Sequence, residues 1–130
     1  MPKIVDANII IRHLLGDSPL QTERIKKYIL EGKEKLILTD VTIAEIVWVL
    51  SSYYKQPKED ICEMLFSLLG EPIFIVNKRL ITQAVSFYRE YSVDYIDAYL
   101  AATAMENDSS GVMSFDKSID KIKEIKRSEP

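Results

Sequence analysis

Two aspartates three residues apart open the stretch "VDYIDAYLAATA", residues 93–104. On a helix, at about 100° per residue, Asp94, Asp97, Ala98 and Ala101 share a face, while Ile96, Tyr99, Leu100 and Thr103 fall largely on the other. Acids beside side chains with almost no bulk suit either a helix start with two first-turn carboxylates or a floor under a bound group. Three further acids stand where a simpler residue would do: Asp6, Glu45 and Asp116.

Each acid has a structural reading. Asp6 suits the N-cap of the helix that follows it. Thr42 and Glu45 have the spacing of a capping box. Asp94 suits an N-cap, with Asp97 as an N3 acid favoured by the helix dipole, and Asp116 suits the cap of the "DKSID" turn. Glu45 strains its structural reading most. Its surroundings, "TIAEIVWVL", are apolar on nearly every face, and a helix apolar all round is expected to be buried. A buried carboxylate must be paired, protonated or metal-bound. The capping box also requires a helix start at Thr42, whereas Thr39 or Asp40 offers an earlier one.

As a set, the acids point to a cation. Two like charges at ~4 Å cost about 4 kcal/mol at an effective dielectric of about 20, which is unfavourable unless a cation offsets it. An all-oxygen site without His or Cys suits Mg2+ or Mn2+ rather than zinc. The residues absent from the chain agree. His13 is the only histidine, Cys62 the only cysteine, and four glycines provide no phosphate loop; no serine sits in a nucleophile-elbow context. A general base would then be metal-bound hydroxide, the chemistry by which carboxylate-held divalent ions hydrolyse phosphodiesters.

The elements that must position these acids read as alternating strands and helices. Lys3 to Val5 is a β-like run ending at Asp6, and "NIIIRHLL" a helix. "GDSPLQTERIKKYILEG" starts a helix with Ser18 as N-cap, Pro19 at N1 and Gly32 past its end. "KLILT" is a strand, "DVTIAEIVWVLSSYY" a helix, and "KQPKEDICEMLFSLLG" a helix with Pro57 near N1 and Gly70 as stop. "PIFIV" is a strand, "NKRLITQAVSFYREY" a helix, "GVMSF" a strand, "DKSID" a short turn or helix, and "KIKEI" a possible last edge strand. Strands separated by helices predict an α/β fold with a mainly parallel sheet. Sites in such sheets form at the carboxyl ends of strands, where Asp6 and Asp116 lie.

The 130 residues, 47% of them apolar, suit one domain spanning residues 1–130. No signal-peptide block or membrane-length apolar run occurs, and the single cysteine suits a reducing cytoplasm. A net charge of −3 excludes a bulk polycation, so any nucleic-acid contact would be made by local patches.

The ordered blocks "VDANIIIRHLLGD", "TDVTIAEIVWVL", "YIDAYLAATAMEND" and "VMSFDKSID" resemble PIN-domain proteins, most of all the VapC branch of bacterial and archaeal toxin–antitoxin systems. The likeness covers nearly the whole chain. It is sharpest where an Asp-Ala pair opens an alanine-rich helix and where Ser-Phe-Asp follows a strand. The resemblance implies a three-layer α/β/α fold and a Mg2+- or Mn2+-dependent ribonuclease. Its four core acids fall on Asp6, Glu45, Asp97 and Asp116, as catalytic residues and metal ligands. Asp94, one turn before the third acid, matches a supporting ligand; Asn8 and Ser114 match supporting polar residues. The resemblance further implies RNA as substrate, a homodimer and a VapB-like antitoxin.

Cationic candidates for the RNA backbone are Arg12, Lys55, Lys58, Lys78, Arg79, Lys117 and the tail "DKIKEIKR". Arg12 and Lys117 lead because each lies close in sequence to an acid. The others read as solvated helix faces, and the tail also reads as a lysine-protected edge strand. Two other functions compete: a non-catalytic RNA- or protein-binding PIN module, and another Mg-dependent phosphohydrolase that forms an aspartyl-phosphate. The latter would favour an acid two residues after Asp6, where Asn8 stands. The apolar excess in "VWVLSSYY" and "EMLFSLLG" predicts a dimer or antitoxin surface.

Overall fold

A computed structural model describes residues 1–109 and 111–130. The chain forms two compact units, Met1–Val76 and Asn77–Pro130.

The first unit contains β1 (Lys3–Ile4), α1 (Ala7–Leu15), α2 (Pro19–Glu31), β2 (Leu36–Ile37), α3 (Asp40–Trp48), a π-helical segment (Val49–Tyr53), α4 (Lys58–Leu69) and β3 (Phe74–Ile75). Its strands pair in parallel in the order β1-β2-β3, with Lys3 opposite Leu36 and Leu36 opposite Phe74. The helices begin and end where the sequence signals placed them. Ser18 is the N-cap of α2 and Pro19 its first residue, although the Ser18 side chain makes no capping bond. Gly32 ends α2 at φ 59°, donating its N–H to the Tyr28 carbonyl, a left-handed position that suits glycine. Pro57 is the cap of α4 rather than N1, and Gly70 ends that helix in ordinary right-handed backbone.

In α3 the earlier start offered by Thr39 is the one used, while the burial expected of Glu45 fails. The helix begins after Thr39, whose Oγ1 accepts the Thr42 N–H at 3.1 Å. Glu45 is therefore in the second turn, and the Thr42–Glu45 capping box does not form. Glu45 is also exposed, not buried. Ile43, Ile46, Val47 and Leu50 fill the core, whereas Val41 and Trp48 on the other side are 78% and 66% exposed. An apolar helix is buried all round only if something covers every face, and one face of α3 is open. The apolar excess predicted in "EMLFSLLG", by contrast, is mostly spent inside, with Ile61, Cys62, Leu65, Leu68 and Leu69 of α4 buried.

The second unit contains α5 (Lys78–Glu90), α6 (Tyr95–Glu106), β4 (Val112–Met113), a 3₁₀ turn (Lys117–Lys121) and β5 (Arg127–Ser128). Helices α5 and α6 pack together. The alanines make this possible: Ala98, Ala101 and Ala102 are buried, while Ile96 and Leu100 are exposed. The small-residue face of α6 thus supports helix packing, with Asp97 at its half-buried edge. Strands β4 and β5 are parallel, with Val112 opposite Arg127 and Met113 opposite Ser128. The last strand is therefore at Arg127–Ser128, and "KIKEI" is the 3₁₀ end and turn leading into it. Its apolar residues have other work, since Ile122 is fully buried. All strand pairs among the described residues are parallel, as the sequence pattern predicted.

Candidate functional site

In the first unit, Asp6 follows β1 and is the N-cap of α1. Its carboxylate is exposed and accepts the Asn8 N–H at 3.4 Å, beyond the usual hydrogen-bond range. Asn8 thus meets Asp6 through its backbone. Glu45 is on the exposed side of α3, and α1 packs against α3. Arg12 is half-buried, 3.9 Å from Asp17, which in turn accepts the Tyr54 hydroxyl at 3.3 Å. His13 is tied to Glu71 at 3.1 Å, the structural role expected of a lone helical histidine.

The same unit carries a groove of about 830 Å³ between α1 and α2. Ile9, Ile25 and Ile29 give it an apolar lining, and Arg12, Arg24 and Lys27 make it basic. Asn8 lines the groove, but Asp6 and Glu45 do not.

In the second unit, three predicted acids form one neighbourhood. Asp94 is the N-cap of α6, yet its side chain makes no capping bond; Asp97 is in the first turn. Asp97 lies within electrostatic reach of Asp116, which follows β4. Burial is the main cause of a raised Asp97 pKa, followed by the charges of Asp116 and Asp94. Asp116 shifts the other way. The Ser118 N–H, donated to Oδ1 at 2.9 Å, is the main cause, helped by the Ser118 hydroxyl and by Lys121 and Arg127. The two directions describe one pair: Asp116 holds the charge, and Asp97 holds a proton longest. Ser114 supports this turn, since its Oγ accepts the Asp116 N–H at 2.9 Å.

The reading of Asp116 as the cap of the "DKSID" turn holds, and its capping contact is with Ser118. Ser118 stands two residues after it, the spacing of an Asx turn, so that signal was legible. Arg127 carried no comparable local signal. Among the cations, Lys55, Lys78, Arg79 and Lys117 are exposed and Lys58 is half-buried. In the tail, Lys121 donates to the Ser92 carbonyl at 3.0 Å, and Arg127 is engaged by acids.

Among the described residues, no three His, Cys, Asp or Glu side chains group closely enough to hold a metal ion together. The Asp97–Asp116 pair nevertheless fits one. Two neighbouring carboxyls, with a third acid near enough to raise Asp97, form an all-oxygen set from which a divalent cation would relieve repulsion. Mg2+ is commonly held by one or two carboxylates while keeping several waters.

No helix among the described residues is long and apolar enough to cross a membrane. A family model for the PIN domain matches residues 3–125, covering parts of both units. The chain is also 27% identical over 124 residues to a VapC ribonuclease of Aquifex aeolicus (strain VF5), covering 92% of this chain and 91% of that protein. The ordered acid blocks, the parallel α/β make-up and a match over nearly the whole length lead to one conclusion: the chain belongs to the PIN domain family, with its three-layer α/β/α fold class.

Proposed function

We propose that this protein is a divalent-metal-dependent endoribonuclease that hydrolyses RNA phosphodiesters as a VapC-type toxin in the cytoplasm. The observation that carries the proposal is the Asp97–Asp116 carboxyl pair, whose members are pushed to opposite protonation behaviour. Membership of the PIN family and the VapC ribonuclease relative support it.

In this reading Asp6, Glu45, Asp97 and Asp116 are the catalytic acids, with Asp94 as a further ligand of Mg2+ or Mn2+. Bound there, the ion would supply a Lewis acid for the phosphoryl oxygen and a more acidic water. The chain supplies the setting. Ser118 keeps Asp116 ionised, and Ser114 holds the turn that carries it. The half-buried position of Asp97 limits the water that would screen its charge. Arg12 and Lys117 are the proposed backbone contacts.

Two partners complete the proposal. The open apolar side of α3, with Val41 and Trp48, supports a homodimer. The groove between α1 and α2, apolar with basic side chains, supports docking of an amphipathic, acid-bearing segment of a VapB-like antitoxin. The test is cleavage of single-stranded RNA with Mg2+, with Mn2+ and with chelator, alongside labelled-phosphate transfer to the protein. Metal-dependent cleavage without protein labelling is expected. Labelling of an aspartate, or no cleavage under any metal condition, would overturn the proposal.

A further inference from the structure

Arg127 lies in β5, outside every block that drew attention to the acids. Its side chain is only 13% exposed, yet its surroundings are polar. Nε donates to Asp120 Oδ1 at 3.0 Å, and Nη1 donates to Glu129 Oε2 at 2.6 Å. Nη1 also donates to the Ser114 carbonyl at 2.8 Å. Ser114 is also bonded to β5 through its own backbone. Its N–H donates to the Ser128 carbonyl at 2.9 Å, and its Oγ accepts the Asp116 N–H at 2.9 Å. Strand β5 therefore grips both backbone groups of Ser114, and Ser114 grips Asp116.

This arrangement exceeds what an ion pair requires. Exposed pairs between arginine and acids stabilise little on their own. Here, Asp120 and Glu129 fix the guanidinium so that one N–H meets a backbone carbonyl beside the candidate site. A planar fork with several donors can do this, whereas a lysine ammonium lacks that fixed geometry. With Nε and Nη1 engaged, the side chain is poorly placed to take a phosphate. We propose that Arg127 is a positioning residue for the Asp97–Asp116 pair, acting through Ser114 to fix the turn from which Asp116 reaches Asp97. The proposal rests on the nuclease reading of that pair.

The experiment uses the full chain with Arg127→Gln, Arg127→Lys and, as a control, Asp116→Asn. Three quantities are read: kcat and KM on a single-stranded RNA, Mn2+ affinity of the RNA-free protein by calorimetry, and far-ultraviolet circular dichroism. Outer-shell partners of metal ligands typically contribute about 10–100-fold in affinity or activity. Arg127→Gln should therefore lower kcat and Mn2+ affinity by about that factor with KM unchanged, and Arg127→Lys should recover part of the loss. A raised KM with unchanged kcat would instead make Arg127 an RNA contact and overturn the proposal. Unchanged kcat and Mn2+ affinity in a folded variant would reduce the clamp to a stability role and also overturn it. If Arg127→Gln does not fold, Asp120→Asn and Glu129→Gln each loosen the guanidinium while keeping its bond to Ser114. Smaller losses in kcat and Mn2+ affinity are then expected, and no loss in either variant overturns the proposal. Normal cleavage by Asp116→Asn would overturn the reading of the acid pair itself. Loss in Asp116→Asn without loss in Arg127→Gln would overturn the positioning role alone.

Discussion

Asp6 and Asp97 hold similar places in their units, each at the opening turn of a helix, but their carboxylates are used differently. Asp6 is exposed at an N-cap and faces the N–H of Asn8. Asp97 is half-buried beside a second carboxyl and has its pKa raised. Capping accounts for the position of Asp6. It does not account for Asp97, because a first-turn acid gains nothing from losing water and facing Asp116 and Asp94. The difference shows that helix position alone does not account for both acids; desolvation and a like-charged neighbour set Asp97 apart.

The largest effects should come from substitutions that keep shape and remove charge. Asn caps a helix as well as Asp, so Asp6→Asn should leave the melting temperature nearly unchanged. If Asp6 belongs to the catalytic set, RNA cleavage should still fall by more than about 100-fold, beyond the usual outer-shell range. Normal cleavage would leave Asp6 as a cap only. Glu45→Gln extends the comparison. The side chain is exposed, so stability should change by less than about 0.5 kcal/mol, and any loss of cleavage reports function.

The next effect tests how firmly the second unit holds its pair. Gly111 has φ 137°, and a Cβ there would fall 1.9 Å from the Lys126 carbonyl oxygen. Gly111→Ala must push β5 away from β4. Overpacking and an unfavourable φ together should cost about 3 kcal/mol, lowering the melting temperature by at least about 6 °C. An unchanged melting temperature would mean that the close contact of the two strands is dispensable.

A smaller effect is expected on the open side of α3. Trp48→Glu removes an exposed ring, so monomer stability should change by less than about 0.5 kcal/mol, while light scattering should show any dimer lost. A dimer that persists would place its interface elsewhere.

The smallest effect is in the pH dependence of metal-free stability. Asp97 has a raised pKa in the folded state, so the fold binds its proton more tightly than the unfolded chain does. That contribution is complete below the ordinary aspartate range, near pH 4, and is lost as pH rises through the raised value. Asp116 has a lowered pKa, so its contribution is present above that range and is lost as pH falls through the lowered value. The melting temperature of Asp97→Asn relative to the native protein should therefore rise as pH increases from about 4. A flat difference would mean that burial and the neighbouring charges do not burden Asp97.

The fold class and most element positions were legible because their signals are local. Pro19 and Gly32 bound α2, and alternating apolar runs and helices announced parallel strands. That Asp97 and Asp116 belong to one acid set was an expectation carried by the family likeness, because the two residues lie on separate elements with no local signal that joins them. The burial expected of Glu45 was misjudged because apolar composition on every face does not say which face finds a partner, and Val41 and Trp48 are left exposed among the described residues. The last strand was misplaced because two residues pair non-locally, while Ile122 of "KIKEI" serves the core instead. Arg127 was read only as a cation of the basic tail for a related reason: its contact with Ser114 lies thirteen residues away.

The most direct test of the acid pair is Asp97→Asn, measured for melting temperature with and without Mn2+ and for RNA cleavage. Removing one charge from a pair that repels should leave the metal-free protein as stable as before or more so. The same substitution should abolish Mn2+ stabilisation, which in the native protein reaches about 2.7 kcal/mol at a hundred times Kd, and cleavage should collapse with it. A lower metal-free melting temperature together with near-normal, metal-dependent cleavage would contradict the account.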